Sequence, residues 1–305
     1  MSREIENVSM ALEGMVVGFA PSLVSVASHR MQASGFVWRP GLIVTSDEGL
    51  AEEGEFRVTL PGGEDIVAQL VGRDPSTAIA LLKVERPDLR PVAMAAAIPS
   101  PGALVLAIGA AGGAPTAALG LVSVSRGPWQ SMRGGDIDAR LELDVRLRGA
   151  AEGGLAVNAT GQAFGMMVLG PRRRVLVIPS VTIARVAARL ETHGHVPRGY
   201  LGLGLQPVTA EGGGSGVMVM SVDPKGPGAA AHIFQGDVLV SWDGKGISKL
   251  QPLLRSLGPD SVGRLVTIEL RRGGQSHQTK LQIGEDPRLE ATAPKRSDTV
   301  GDRHD

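Results

Sequence analysis

The sequence predicts a mostly β protein, two small barrels in series followed by a further strand-rich module, and three observations carry that reading. Short apolar runs recur between Gly, Pro and Asp from Met15 to Ile178, the spacing of barrel or sandwich strands. Glycine and proline supply 42 and 20 of the 305 residues, which disfavours long helices. Ahead of the last module, one segment beginning at Ser180 carries an uninterrupted helical stripe. A chain of this length is expected to form about two domains.

The first barrel takes its strands from residues 23–26, 35–37, 42–45, 56–60, 66–71 and 79–84. The second takes them from residues 103–108, 119–124, 140–145, 161–169 and 175–178. Ile183, Val186, Ala187 and Leu190 then repeat at offsets of three, four and seven, one face of a helix that stops near Gly194. Strand-and-turn text resumes at Tyr200. The expected organisation is an N-terminal segment over 1–14, the double barrel over 15–194, a linker over 195–199, the second module over 200–284 and a disordered tail over 285–305. That tail alternates charge with Pro and Ser and has almost no apolar period.

Composition closes off several functions. Lys plus Arg and Asp plus Glu are 31 each, leaving no net charge, so nucleic acid is not an expected partner. With no cysteine there is no disulfide, thiolate zinc site or cysteine nucleophile. Residues 91–125 carry no charge, but Pro91, Pro99, Pro101 and Pro115 interrupt them, which fits buried strands and not a membrane span. Arg3 is outnumbered by Glu4, Glu6 and Glu13 ahead of the first apolar residues. That is not a basic leader, so the expected compartment is the cytoplasm. Gly109–Gly113 lacks the Lys and Ser/Thr of a phosphate loop and reads as a turn. None of the six histidines has metal-ligand spacing with an acid on one helix face, and no cofactor or metal is expected. The run Arg172-Arg173-Arg174 reads as a solvated hairpin tip.

Ser34-Gly35-Phe36-Val37, Leu42-Ile43-Val44-Thr45, Val58-Thr59-Leu60-Pro61-Gly62-Gly63, Val71-Gly72-Arg73-Asp74-Pro75-Ser76-Thr77 and Ala80-Leu81-Leu82-Lys83-Val84 follow one another in order. With Ala107-Ile108-Gly109, Gly120-Leu121-Val122-Ser123 and Val177-Ile178-Pro179-Ser180, they resemble the HtrA/Deg trypsin-like serine proteases. Residues 198–203, 236–239 and 243–247 resemble the PDZ domain that follows such proteases. The resemblance implies a trypsin-like double β-barrel followed by a PDZ-like α+β domain, trimer formation, and a periplasmic location as the alternative to the cytoplasm.

The resemblance also implies a hydrolytic triad, and here the sequence departs from it. The histidine position corresponds to Glu48, the aspartate position to Ala78 and the nucleophile to Glu152, with Ala150, Gly153 and Gly154 in the oxyanion loop. A carboxylate is a poor nucleophile toward an amide and no imidazole stands ready to move a proton. The substitutions therefore predict a chain that is not an enzyme, a pseudoprotease, with the Glu152 carboxylate folded onto the amides of Ala150 and Glu152. An endopeptidase with non-standard residues is the alternative. A metal or glycan site on the Glu48 and Glu152 pair is a second.

The PDZ-like half implies capture of peptide or protein C-termini. Tyr200, Leu201, Gly202 and Leu203 would form the carboxylate loop. Leu250, Leu253, Leu254 and Leu257, at helical spacing, would line the groove. The implied role is a scaffold, chaperone-like binder or regulator, as a homotrimer or with an active relative, in protein quality control.

Overall fold

The computed structural model describes residues 2–29, 31–51, 54–147, 149–209, 215–247 and 249–287. They fall into two compact units that divide between His195 and Val196.

The first unit holds two closed barrels. Strands β1 (Leu23–Ser28), β2 (Met31–Arg39), β3 (Leu42–Ser46), β4 (Phe56–Thr59), β5 (Asp65–Asp74) and β6 (Ile79–Lys83) close in the order β1-β2-β3-β6-β5-β4. The β-branched run Ile43-Val44-Thr45 gives β3 a strand preference, and Ile43 joins Val24, Val37, Val58 and Leu82 in this barrel's core. The second barrel is built from β7 (Leu104–Ala111), β8 (Ala114–Arg126), β11 (Arg140–Asp144), β12 (Leu155–Asn158), β13 (Ala163–Leu169) and β14 (Val175–Pro179). It closes in the order β11-β14-β13-β12-β7-β8. Between β8 and β11 a short hairpin of β9 (Trp129–Gln130) and β10 (Asp136–Ile137) projects. Phe164, Met167, Val105 and Leu141 fill the second core.

Two helices complete this unit. The expected segment over 1–14 is instead part of α1 (Ser2–Phe19). Its partly buried residues Leu12, Met15, Val16 and Phe19 keep helical spacing, but Ile5, Val8, Met10 and Val17 are exposed, so the apolar period is blurred. The helix α2 (Ser180–His193) buries Ile183, Val186, Ala187 and Leu190 as the stripe requires, and lies against β5 and β6. It ends at Gly194 in the left-handed conformation, whose amide donates to the Leu190 carbonyl. β12 is the barrel strand that the sequence reading missed. Its run Leu-Ala-Val is short and adjoins Gly153-Gly154, which reads as loop.

The second unit is a sheet in the order β16-β17-β18-β20-β21, from β16 (Leu203–Thr209), β17 (Ser215–Val222), β18 (Val238–Trp242), β20 (Leu265–Arg272) and β21 (Gln275–Gln282). A short β19 (Lys245–Gly246) pairs with β18, and β15 (Gly199–Tyr200) pairs with β22 (Gly284–Glu285). Two small helices, α3 (Pro227–Ala230) and α4 (Leu250–Arg255), accompany the sheet. Val217, Val219, Leu239, Ile268 and Leu281 form its core. Among the predicted tail residues, those from 288 on lie outside the described residues.

The α2 docking has a strict steric condition. A Cβ on Gly72 of β5 would lie 2.1 Å from the Gly194 carbonyl oxygen, a backbone atom that cannot step aside cheaply. Gly72→Ala is expected to lower stability by about 2–3 kcal/mol, read by urea unfolding of the full chain.

Candidate functional site

The loop that leads into β12 is held by one hydroxyl. Ser34 on β2 is fully buried, and its Oγ donates to the Ala150 carbonyl at 2.7 Å and accepts the Ala110 amide of β7 at 2.8 Å. The Ser34 amide donates to the Glu152 carbonyl at 2.7 Å, and the Ser34 carbonyl accepts the Thr45 hydroxyl at 2.7 Å. Gly153 has φ +85°, and a Cβ there would stand 2.2 Å from the Ser34 carbonyl oxygen. Glycine at 153 is thus a requirement of both backbone angle and space. Sequence reasoning placed Ser34 in a motif but gave it no role. Its signal was a hydroxyl in an otherwise apolar central strand.

Glu152 itself turns inward. Its carboxylate Oε1 accepts the Ser46 hydroxyl at 3.2 Å and the Leu169 amide at 3.1 Å. This corrects the expectation that it folds onto the amides of its own loop, because Ser46 at the end of β3 and Leu169 at the end of β13 offer donors within the buried seam. Burial pushes the Glu152 carboxyl above the usual glutamate range against those two donors, and the charge of Glu48 pushes the same way.

Glu48 and Ala78 line a cavity of about 940 Å³ above this seam. Glu48 sits on the single turn after β3, 46% exposed, with Arg133 Nη1 3.8 Å away. Its neighbour Asp47 points the other way. Asp47 is buried and paired with Arg73, and burial lifts its carboxyl above the usual range despite that guanidinium. Ala78 adopts φ +58°, a left-handed conformation that costs a non-glycine residue about 1 kcal/mol or more. Asp74 holds that turn by accepting the hydroxyls of Ser76 and Thr77 at 2.5 and 2.7 Å. The Ala78 carbonyl in turn accepts the Asp47 amide at 3.1 Å. The structure therefore brings positions 48, 78 and 152 to one place. No histidine lines the cavity among the described residues. Nor does any group of three or more His, Asp or Glu there suit a metal ion.

The second unit carries its own site. β16 has one neighbour, β17, so its other edge is unpaired among the described strands. The preceding loop is braced from below. The Tyr200 hydroxyl donates to Asp223 at 3.0 Å, and the carbonyls of Leu201 and Gly202 accept the amides of Gly228 and Asp223. Gly202 has φ +68°, and a Cβ would lie 2.9 Å from Gly226 Cα. α4 lies beside β16. Leu253 is buried, and Leu250 and Leu257 pack on the core, whereas Leu254 remains 46% exposed. The leucine stripe is thus mostly core, as is the side chain of Leu201.

Residues 33–166 match the trypsin-like peptidase domain model, and residues 199–283 match the PDZ domain model. A probable periplasmic serine endoprotease DegP-like of Bartonella henselae is 31% identical over 85% of this chain and 55% of its own. The chain thus pairs a trypsin-like peptidase domain with a PDZ domain and is similar to the HtrA/DegP proteins. A relative of the same description from Rhizobium meliloti is 30% identical over 84% of this chain and 53% of its own. The chain thus spans about half the length of these curated relatives. The crystal structure of the serine endoprotease from Yersinia pestis superposes with a TM-score of 0.71 at 26% identity, covering 90% of this chain and 98% of that one. The HtrA-type protease AlgW with decapeptide superposes at 0.70 and 22% identity, over 90% and 99%, and shares the fold.

Trypsin-like and PDZ-like architecture is as expected. The expectation that the chain is not an enzyme is corrected by these relatives, which carry the name of serine endoproteases at about this identity across most of its length. The residues at three positions, read alone, gave that expectation too much weight. The expected cytoplasmic location likewise finds no support in relatives named periplasmic, which fit the alternative. No helix among the described residues is long and apolar enough to cross a membrane.

Protonation links the seam to stability. With the native carboxyl of Glu152 lifted, the folded chain holds a proton that the unfolded chain releases, so stability falls as pH rises through the interval above the ordinary glutamate value. Asp47 acts with the same sign. Glu152→Gln is expected to be more stable than the parent at alkaline pH, with the difference vanishing below about pH 4, in urea unfolding across a pH series.

Proposed function

We propose that the chain recognises peptide and protein segments through its PDZ domain and presents them to the family's cleft, in the handling of other proteins in the periplasm. The unpaired edge of β16 carries this reading. An extended segment can add there as a further strand, with its terminal carboxylate received at the loop of Tyr200 to Leu203. Gly202 lets that loop turn, and the exposed Leu254 on α4 offers an apolar contact to the guest. Such capture supports a scaffold or chaperone-like role, and the likeness to the HtrA/DegP proteins supports assembly with further copies, as a homotrimer, or with a relative.

In the peptidase domain we assign Glu48, Ala78 and Glu152 to the positions of the family's triad, with Ala150, Gly153 and Gly154 in the adjoining loop. A second reading, serine-type endopeptidase activity through other residues, is favoured by the names of the relatives. Capture at β16 serves either chemistry. Casein turnover by the purified chain that persists in Glu152→Ala would place the reacting group elsewhere in the cleft.

Capture is tested on the full chain with labelled peptides that end in a free carboxylate or in an amide. The free acid is expected to bind about tenfold or more tightly, the scale of a charge-assisted hydrogen bond. Gly202→Trp is expected to remove that preference, and Leu254→Asp to weaken both peptides. Equal binding of acid and amide would overturn the reading of the loop.

A further inference from the structure

The arginine-rich tip between β13 and β14 does not simply face water. Arg172 and Arg174 line the same cavity as Glu48, together with Arg133 and Arg140. Those four guanidiniums are met by two carboxylates. Glu48 lies 3.8 Å from Arg133, and the buried Glu142 binds both Arg140 at 2.6 Å and Arg174 at 3.2 Å. In a chain whose charges cancel overall, this cavity keeps a local excess of two positive charges. Glu142 is 8% exposed, so it fixes the two guanidiniums from beneath and leaves their outer faces to solvent. Arg140 also lies over the Trp129 ring, 5.3 Å from its centroid. Arg172 is exposed at φ +59° on the outermost turn, and no ion pair engages it among the described residues.

Between these charges the walls are apolar. Trp129, Leu169 and Pro171 line the cavity, and Met132 stands 91% exposed at its edge. An apolar hollow with a few fixed charges suits a ligand that is apolar and anionic together. We infer that this cavity is a specificity site for a peptide segment in which a Glu or Asp side chain adjoins an apolar residue, the carboxylate meeting Arg172 and the Arg140–Arg174 pair. Charge complementarity selects the acidic side chain, and the exposed Met132 selects its neighbour. A nucleic acid fits less well, because stacked bases need a row of aromatic faces and Trp129 is the one aromatic residue in the lining. The site is independent of capture at β16, since it needs no chain terminus.

The test uses the full chain and fluorescein-labelled peptides that are acetylated and amidated, so that no terminal carboxylate is present. One alternates Glu with Leu, and matched peptides carry Gln or Lys in place of Glu. By fluorescence anisotropy the Glu peptide is expected to bind about tenfold more tightly than the Gln peptide, with the Lys peptide weakest. Arg172→Glu is expected to bring the Glu peptide to the level of the Gln peptide, and Gly202→Trp to leave it unchanged. Arg172→Gln, with a thermal melt matching the parent, guards against misfolding and is expected to give an intermediate loss. Equal binding of Glu and Gln peptides, or no effect of either Arg172 variant, would overturn the inference. So would loss of binding in Gly202→Trp. Competition by a short single-stranded DNA at the same concentration as the peptide would replace it with general polyanion binding.

Discussion

The peptidase half depends on the fit around one serine. Ser34 uses its amide, carbonyl and hydroxyl to join β2, β3, β7 and the loop from Ala150 to Glu152. Each of these bonds is buried or nearly so, where leaving a donor or acceptor unpaired costs about 1–3 kcal/mol. The first barrel presents β2 and β3 at this point and the second presents β7, and the loop closes over them only because Gly153 has no side chain. The backbone position of Glu152 follows from that closure, and its carboxylate is then met by Ser46 and Leu169.

The seam and the cavity above it are electrostatically opposite. Below, two carboxylates, Asp47 and Glu152, are pulled from water and held above their ordinary range, one beside a guanidinium and one with neutral donors. Above, arginines outnumber acids. Glu48 stands at the boundary, exposed, paired with Arg133 and felt by Glu152. Such a vertical separation of charge places the polar chemistry of this unit at the junction of the two barrels.

The barrels were legible because strand text is local: an apolar run of β-branched residues between turn residues names itself, as in Ile43-Val44-Thr45 and Ile66-Val67. The helix at Ser180 was legible for the same reason, through four residues at helical spacing. β12 was not, since three apolar residues after two glycines look like loop, and its identity comes from pairing with β7 and β13. α1 was missed because its apolar face mixes with exposed Ile5 and Val17. At the site, positions 48, 78 and 152 were proposed from the order of motifs. The direction of the Glu152 side chain could not be read, because Ser46 and Leu169 are 106 and 17 residues away along the chain. The tip at Arg172 to Arg174 is exposed as read, but the ion pair of Arg174 was not legible, since its partner Glu142 is 32 residues distant.

Pro207 lies inside β16, opposite Val217. A proline in a border strand removes one amide from the ladder, and borders without such interruption invite other chains to zip onto them end to end. A proline in this border strand is one of the devices by which sheet edges are kept from pairing with further copies. An opening for partners and a safeguard against aggregation thus share seven residues, Leu203 to Thr209.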